Sequence, residues 1–196
     1  MSSLLSMVIF SLSMSISPGP VNFVALTSGL NHGLLKSIKF VAGATIGFVV
    51  LLALIGISLG AARQDFPNAF NILKYIGCGY IIFIGYSILN DGGDINTTSS
   101  SSSVPSFYQG WLMQWLNPKA WIACLAGCSA FDLYTSEQRL IQFVVIYFLI
   151  CFLGIACWAI LGEKIKRWLS STKQVRVFNK IMGSILCLLG SALLLN

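Results

Sequence analysis

Charge is what this sequence has least of. Only 9% of its 196 residues are Asp, Glu, Lys or Arg, against about 25% in an ordinary soluble chain. No charged residue precedes Lys36, none lies between Phe40 and Ala62, and none between Leu140 and Gly162. Each run is long enough to cross a bilayer core, which takes roughly 20 helical residues. A water-soluble fold is excluded, and the chain reads as a polytopic membrane protein. Other shortages narrow the function. There is one histidine, no Cys-x-x-Cys pair, and no Asp or Glu in the middle of any apolar run. Hydrolysis wants a nucleophile with a base beside it, and redox work wants paired thiols, so no enzyme and no cofactor is expected. The six cysteines, Cys78, Cys124, Cys128, Cys151, Cys157 and Cys187, all sit in apolar runs. They read as small buried hydrophobes rather than a disulfide framework. Cys124 and Cys128 share a helix face at i, i+4, but a metal site would want further ligands nearby. The first apolar run lacks a basic leader and is too long for a cleaved signal, so it is read as mature structure.

What is present is a set of apolar spans. Six are expected, at about 4–28, 39–62, 71–90, 107–131, 139–162 and 176–195. Lys74 and Lys180, near the ends of the shorter third and sixth spans, are expected to snorkel toward headgroups. A polar stretch at about 91–106, carrying Asp91-Gly-Gly-Asp94 and a serine run, has little to bury and reads as a flexible linker. It divides the spans three and three. An odd number forces the second half to enter the membrane upside down relative to the first. The expected fold is therefore an all-α polytopic membrane protein, one transmembrane domain over 1–196. It consists of two inverted three-helix repeats, at about 1–90 and 107–196, with helices 1 and 4 broken. Pro18 in the first span and Pro118 in the fourth are the clearest internal correspondence.

Lys and Arg set the orientation. Lys36, Lys39, Lys164, Lys166, Arg167, Lys173 and Arg176 fall in loops on one side, with Lys180 just inside the sixth span, against Arg63, Lys74 and Arg139 on the other. The richer side is expected in the cytoplasm and both termini outside it. Topology and anionic lipid headgroups explain the net charge of +6, and no soluble domain displays it to a nucleic acid.

The breaks carry the functional signal. Ser17-Pro18-Gly19-Pro20 interrupts the first span and Asn117-Pro118-Lys119 the fourth. Proline lacks an N–H and clashes with the carbonyl four residues back, so the carbonyls of Met14, Ile16 and Gln114 should lose their helical donors. Ser17 and Asn117 read as N-caps, each followed by a proline at N1. A half-helix starting at mid-membrane depth presents free N–H groups to a carboxylate, while freed carbonyls would suit an ammonium group. That polarity matches a zwitterion. Lys119 sits in mid-span, where burial costs about 2.5–3.5 kcal/mol or more and a functional role is the default; the plain alternative is a side chain that reaches an interface. Asn22 and Gln114 lie at helical spacing from the breaks, either as site residues or as helix–helix hydrogen bonds. His32 reads as a loop residue near headgroups. The candidate substrate site is thus Ser17, Pro18, Gly19, Pro20, Asn22, Gln114, Asn117, Pro118 and Lys119.

These two motifs together resemble the LysE/RhtB family of bacterial amino-acid exporters. Lys74-x-x-Gly77-x-x-Tyr80-Ile81 with Gly85, and Phe107-x-x-Gly110 leading to Asn117-Pro118-Lys119 and Phe131, are similar to the same family. Asn31-His32-Gly33, Val41-Ala42-Gly43, Gly47-Phe48, Cys157-Trp158-Ala159 and Gly162 look closest to its cysteine and O-acetylserine branch; the Ser-rich linker departs from the family pattern. The resemblance implies export of a small zwitterionic amino acid, of the cysteine/O-acetylserine or threonine/homoserine kind, across the bacterial inner membrane, driven by the proton-motive force. A homo-oligomer is compatible with it. The competing expectation is a metal-ion exporter of related architecture.

Overall fold

The computed structural model describes residues 3–61, 79, 82, 83, 85, 86, 88–90, 103–166 and 171–195. Most of the expected third span, Lys74, Cys78 and the linker up to residue 102 lie outside them. The described residues form helices and no strand. They are α1 (Ser3–Ile16), α2 (Pro20–His32), α3 (Leu34–Ala61), α4 (Phe107–Trp115), α5 (Pro118–Ala130), α6 (Glu137–Lys166) and α7 (Thr172–Leu195), with one 3-10 turn at Leu133–Thr135. The expected first and fourth spans are each two helices, split at the prolines. α1 and α2 meet at a bend of 60°. α3 and α6 are each long and apolar enough to cross a membrane alone, and α1 with α2 is a third candidate when taken as one bent span.

Local chemistry fixes the ends. Ser106 and Gln109 form a reciprocal capping box at the start of α4, with Ser106 Oγ accepting from the Gln109 N–H (3.2 Å) and Gln109 Oε1 accepting from the Ser106 N–H (2.7 Å). Ser171 and Gln174 do the same at α7. Between α2 and α3 the chain turns at Gly33, whose φ of 82° favours glycine. Lys180 on α7 is exposed, as a snorkelling side chain requires.

α3 and α6 pack on each other at the centre. α1 and α2 lie against α6, and α4 and α5 against α3. Along α6, Phe143, Tyr147, Cys151, Ile155 and Ala159 recur every four residues and are buried, while Ile141, Val145, Leu149 and Leu153 recur at the same spacing and are exposed. A helix apolar on both faces has protein on one side and lipid on the other. Phe48 of α3 stacks on Tyr147 with ring centres 4.3 Å apart. Phe10, Phe131 and Phe143 close the core toward one end, 5.2–6.1 Å apart. Two contacts are so close that only glycine fits. A Cβ on Gly29 would overlap the Ala159 carbonyl and one on Gly162 the Leu26 carbonyl, joining α2 to α6. Gly43 and Gly110 join α3 to α4 in the same reciprocal way, against Phe107 and Phe40. Cys124, Cys128 and Cys151 are buried in the core, where a small apolar side chain belongs, whereas Cys157 is exposed and Cys187 half-buried, against the expectation for all six.

Candidate functional site at two helix breaks

The end of α1 leaves a row of carbonyls without helical donors, each costing about 1–3 kcal/mol if buried unpaired. All of them have protein donors. Ser17 N–H bonds the Ser13 carbonyl (3.2 Å) and Ser17 Oγ the Met14 carbonyl (3.0 Å). Asn22 Nδ2 bonds the carbonyls of Ser15 and Ser17, both at 2.9 Å. The indole N–H of Trp158, from α6, bonds the Ile16 carbonyl at 3.1 Å. The ammonium of Lys119, from α5, donates to the Ser17 carbonyl at 2.6 Å and the Pro18 carbonyl at 3.3 Å.

This corrects two expectations. Ser17 is not an N-cap; it turns back to close α1, because Pro18 removes the donor that Met14 would otherwise have. The N-cap of α2 is Gly19, with extended backbone (φ −175°, ψ 173°), Pro20 at N1 and no side-chain cap. Nor do the freed carbonyls stand open for a substrate ammonium, since side chains of the protein occupy them. What stays open is the donor end: the first N–H groups of α2 have no capping side chain.

The second break is closed differently. Asn117 is an N-cap as expected, its Oδ1 accepting from the Lys119 N–H at 3.1 Å. The Gln114 carbonyl, freed by Pro118, accepts from the Asn117 N–H at 3.2 Å. The Trp115 carbonyl takes the indole N–H of Trp121 at 2.7 Å. Each break therefore has a tryptophan capping a carbonyl at the end of its first half-helix; the sequence marked Trp158 only within the branch resemblance and Trp121 not at all.

Between the breaks lies a cavity of about 40 Å³, room for a few water molecules. Gly19, Asn22, Gln114, Asn117 and Lys119 line it, together with Ser15, Phe48, Tyr147 and Cys151. Asn22, Gln114 and Asn117 are buried, at 4–5% exposure. Lys119 is half-buried and crosses from the second break to the first. A Cβ on Gly19 would come within 3.2 Å of its side chain, so glycine there gives the lysine its path. Ser17 and Pro18 take part through their carbonyls, while Pro20 and Pro118 shape the backbone and do not line the cavity. His32 ends α2, away from the cavity. Among the described residues no group of three or more His, Cys, Asp or Glu could hold a metal ion.

A cavity held between two broken helices, with a few buried polar side chains converging on it inside a chain whose outer face is apolar, is the layout of a membrane transport protein. The chain belongs to the LysE type translocator family, which matches residues 12–196. Among its relatives is the homoserine/homoserine lactone efflux protein of Salmonella typhimurium, 27% identical over 186 residues that cover 92% of this chain and 90% of the relative. Another is the cysteine/O-acetylserine efflux protein of Escherichia coli K12, 29% identical over 162 residues, 81% of each chain. No solved structure matches the chain at a significant level.

Proposed function

We propose that this protein is a secondary exporter of a small amino acid or amino-acid derivative from the cytoplasm. One observation carries the reading: Lys119 reaches across to the first break and lies beside the uncapped start of α2. An ammonium has three donors, and two go to the carbonyls of Ser17 and Pro18. The third, with the open N–H groups of α2, offers a substrate carboxylate a charge-assisted seat. The Gln114 side-chain oxygen is the acceptor we assign to the substrate ammonium. Ser17, Pro18, Gly19, Pro20, Asn22, Asn117 and Pro118 build and hold this seat. The relatives export homoserine, its lactone, cysteine or O-acetylserine by name, and a short polar amino acid suits a cavity this small.

The architecture we assign is one domain of six spans in two inverted repeats, about 1–90 and 107–196, joined by a cytoplasmic linker. Its support is the exchange seen in the packing, where the first broken pair lies on α6 and the second on α3. We place the protein in the bacterial inner membrane with both termini on the periplasmic side, on the distribution of Lys and Arg. Drive by the proton-motive force rests on the family resemblance.

The test is export from cells loaded with dipeptides, reading which free amino acids leave faster when the protein is present. Lys119→Ala and Pro18→Ala should insert normally. Loss of a hydrogen bond from a charged group, about 1.5–3 kcal/mol, should cut export by Lys119→Ala at least roughly tenfold. Wild-type export by well-inserted Lys119→Ala protein overturns the site.

A further inference from the structure

Ser15 lies in the last turn of α1 and lines the same cavity. It is 8% exposed, and its Oγ has no hydrogen-bond partner among the described residues. The neighbouring serine hydroxyls bond carbonyls of the preceding turn: Ser11 Oγ that of Met7 and Ser13 Oγ that of Ile9, both at 2.8 Å, and Ser17 Oγ that of Met14 at 3.0 Å. Ser15 does not do this. Its carbonyl is held by Asn22 and its Cβ packs against Gly154 of α6, where an added Cβ would come within 3.0 Å. The backbone and the neighbouring helix thus fix where the hydroxyl sits and leave it unsatisfied. The Tyr147 hydroxyl and the Cys151 thiol lie beside it and interact with it, but neither meets the geometry of a full hydrogen bond. Tyr147, Cys151 and Ile155 are successive steps on the cavity face of α6. A buried hydroxyl without a partner is costly, and one that a ligand satisfies becomes a selector, because a ligand lacking the matching group leaves it unpaired.

We propose that Ser15, backed by Tyr147 and Cys151, forms the subsite that reads the substrate's side chain, and that it selects amino acids whose short side chain ends in a hydrogen-bonding group over those ending in a methyl. The inference rests on the proposed export function. It adds a specificity-determining residue to the same cavity, lying N-terminal to the break rather than within either motif.

The test compares homoserine with 2-aminobutyrate, which has hydrogen in place of the hydroxyl. Export of each is measured from proteoliposomes holding wild-type, Ser15→Ala or Lys119→Ala protein. The wild type should prefer homoserine, and Ser15→Ala should lower that preference roughly 3- to 10-fold, leaving 2-aminobutyrate export near its wild-type level. Ser15→Ala should also melt no lower than wild type, since it deletes an unpaired buried group. If Ser15→Ala leaves the preference unchanged, or lowers export of both alike, the subsite is overturned even while Lys119→Ala abolishes export. If Lys119→Ala exports both normally, the carboxylate seat falls, and a preserved Ser15 effect would then stand without it. A wild type that exports neither overturns both.

Discussion

Trp158 serves the first break from α6, more than a hundred positions along the chain. Its indole N–H donates to the Ile16 carbonyl while its ring lies edge-on to Phe23, centroids 5.9 Å apart. Trp158→Phe keeps the ring contact and removes the donor. It should lower stability in detergent by about 1–2 kcal/mol, the cost of an orphaned carbonyl, read as a fall in melting temperature, whereas Phe23→Leu should disturb the ring contact alone. The residues at this scale show what a sequence can and cannot carry. The effect of proline is local, so Pro18, Pro20 and Pro118 announced the breaks. The cap of Asn117 was legible for the same reason, because its acceptor and donor lie two residues apart. Ser17 was misread because a serine before a proline can cap forward or turn back, and the choice depends on how the previous half-helix ends. The roles of Trp158 and Ser15 at the break were not legible, since they depend on α6 packing against α1 and α2.

At the scale of elements, the two glycine pairs hold broken helices against intact ones. Gly162 accepts the backbone of α2 and Gly110 that of α3, at distances no side chain survives. Gly162→Ala should therefore cost more than the usual 1–3 kcal/mol of an overpacked contact, because the obstacle is a rigid carbonyl. The expected result is a large loss of folded, monodisperse protein. Gly79→Ala, where an added Cβ meets nothing within 4 Å among the described residues, is the matching control and should behave as wild type. Gly43 and Gly47, four residues apart on α3, lie together against Phe107 and Trp111 of α4, while Gly29 meets the backbone of Ala159 on α6. Spacing along one helix identifies a smooth face and says nothing of which helix covers it.

At the scale of the molecule, the outer surface is a belt of exposed Leu, Ile and Val along α1, α3 and α6, and the polar groups converge inside. Orientation then rests on the loops. Fusions of a reporter that folds only in the periplasm should be active at either terminus, and the same reporter placed after Lys36 or after Lys166 should be silent. Activity at one terminus and silence at the other would mean an odd number of spans and would overturn the proposed repeat.

The partners of the first break belong to helices made later in synthesis. Asn22 can satisfy the carbonyls of Ser15 and Ser17 as soon as α2 forms, but the Pro18 carbonyl waits for Lys119 and the Ile16 carbonyl for Trp158. A ribosome building this chain releases a kinked, half-satisfied helix toward the bilayer and must translate about a hundred further residues before its missing donors arrive. Lipid cannot supply them. The first helix therefore has reason to linger at the insertion machinery, where water is still available, and to leave it in company with α5 and α6 rather than alone.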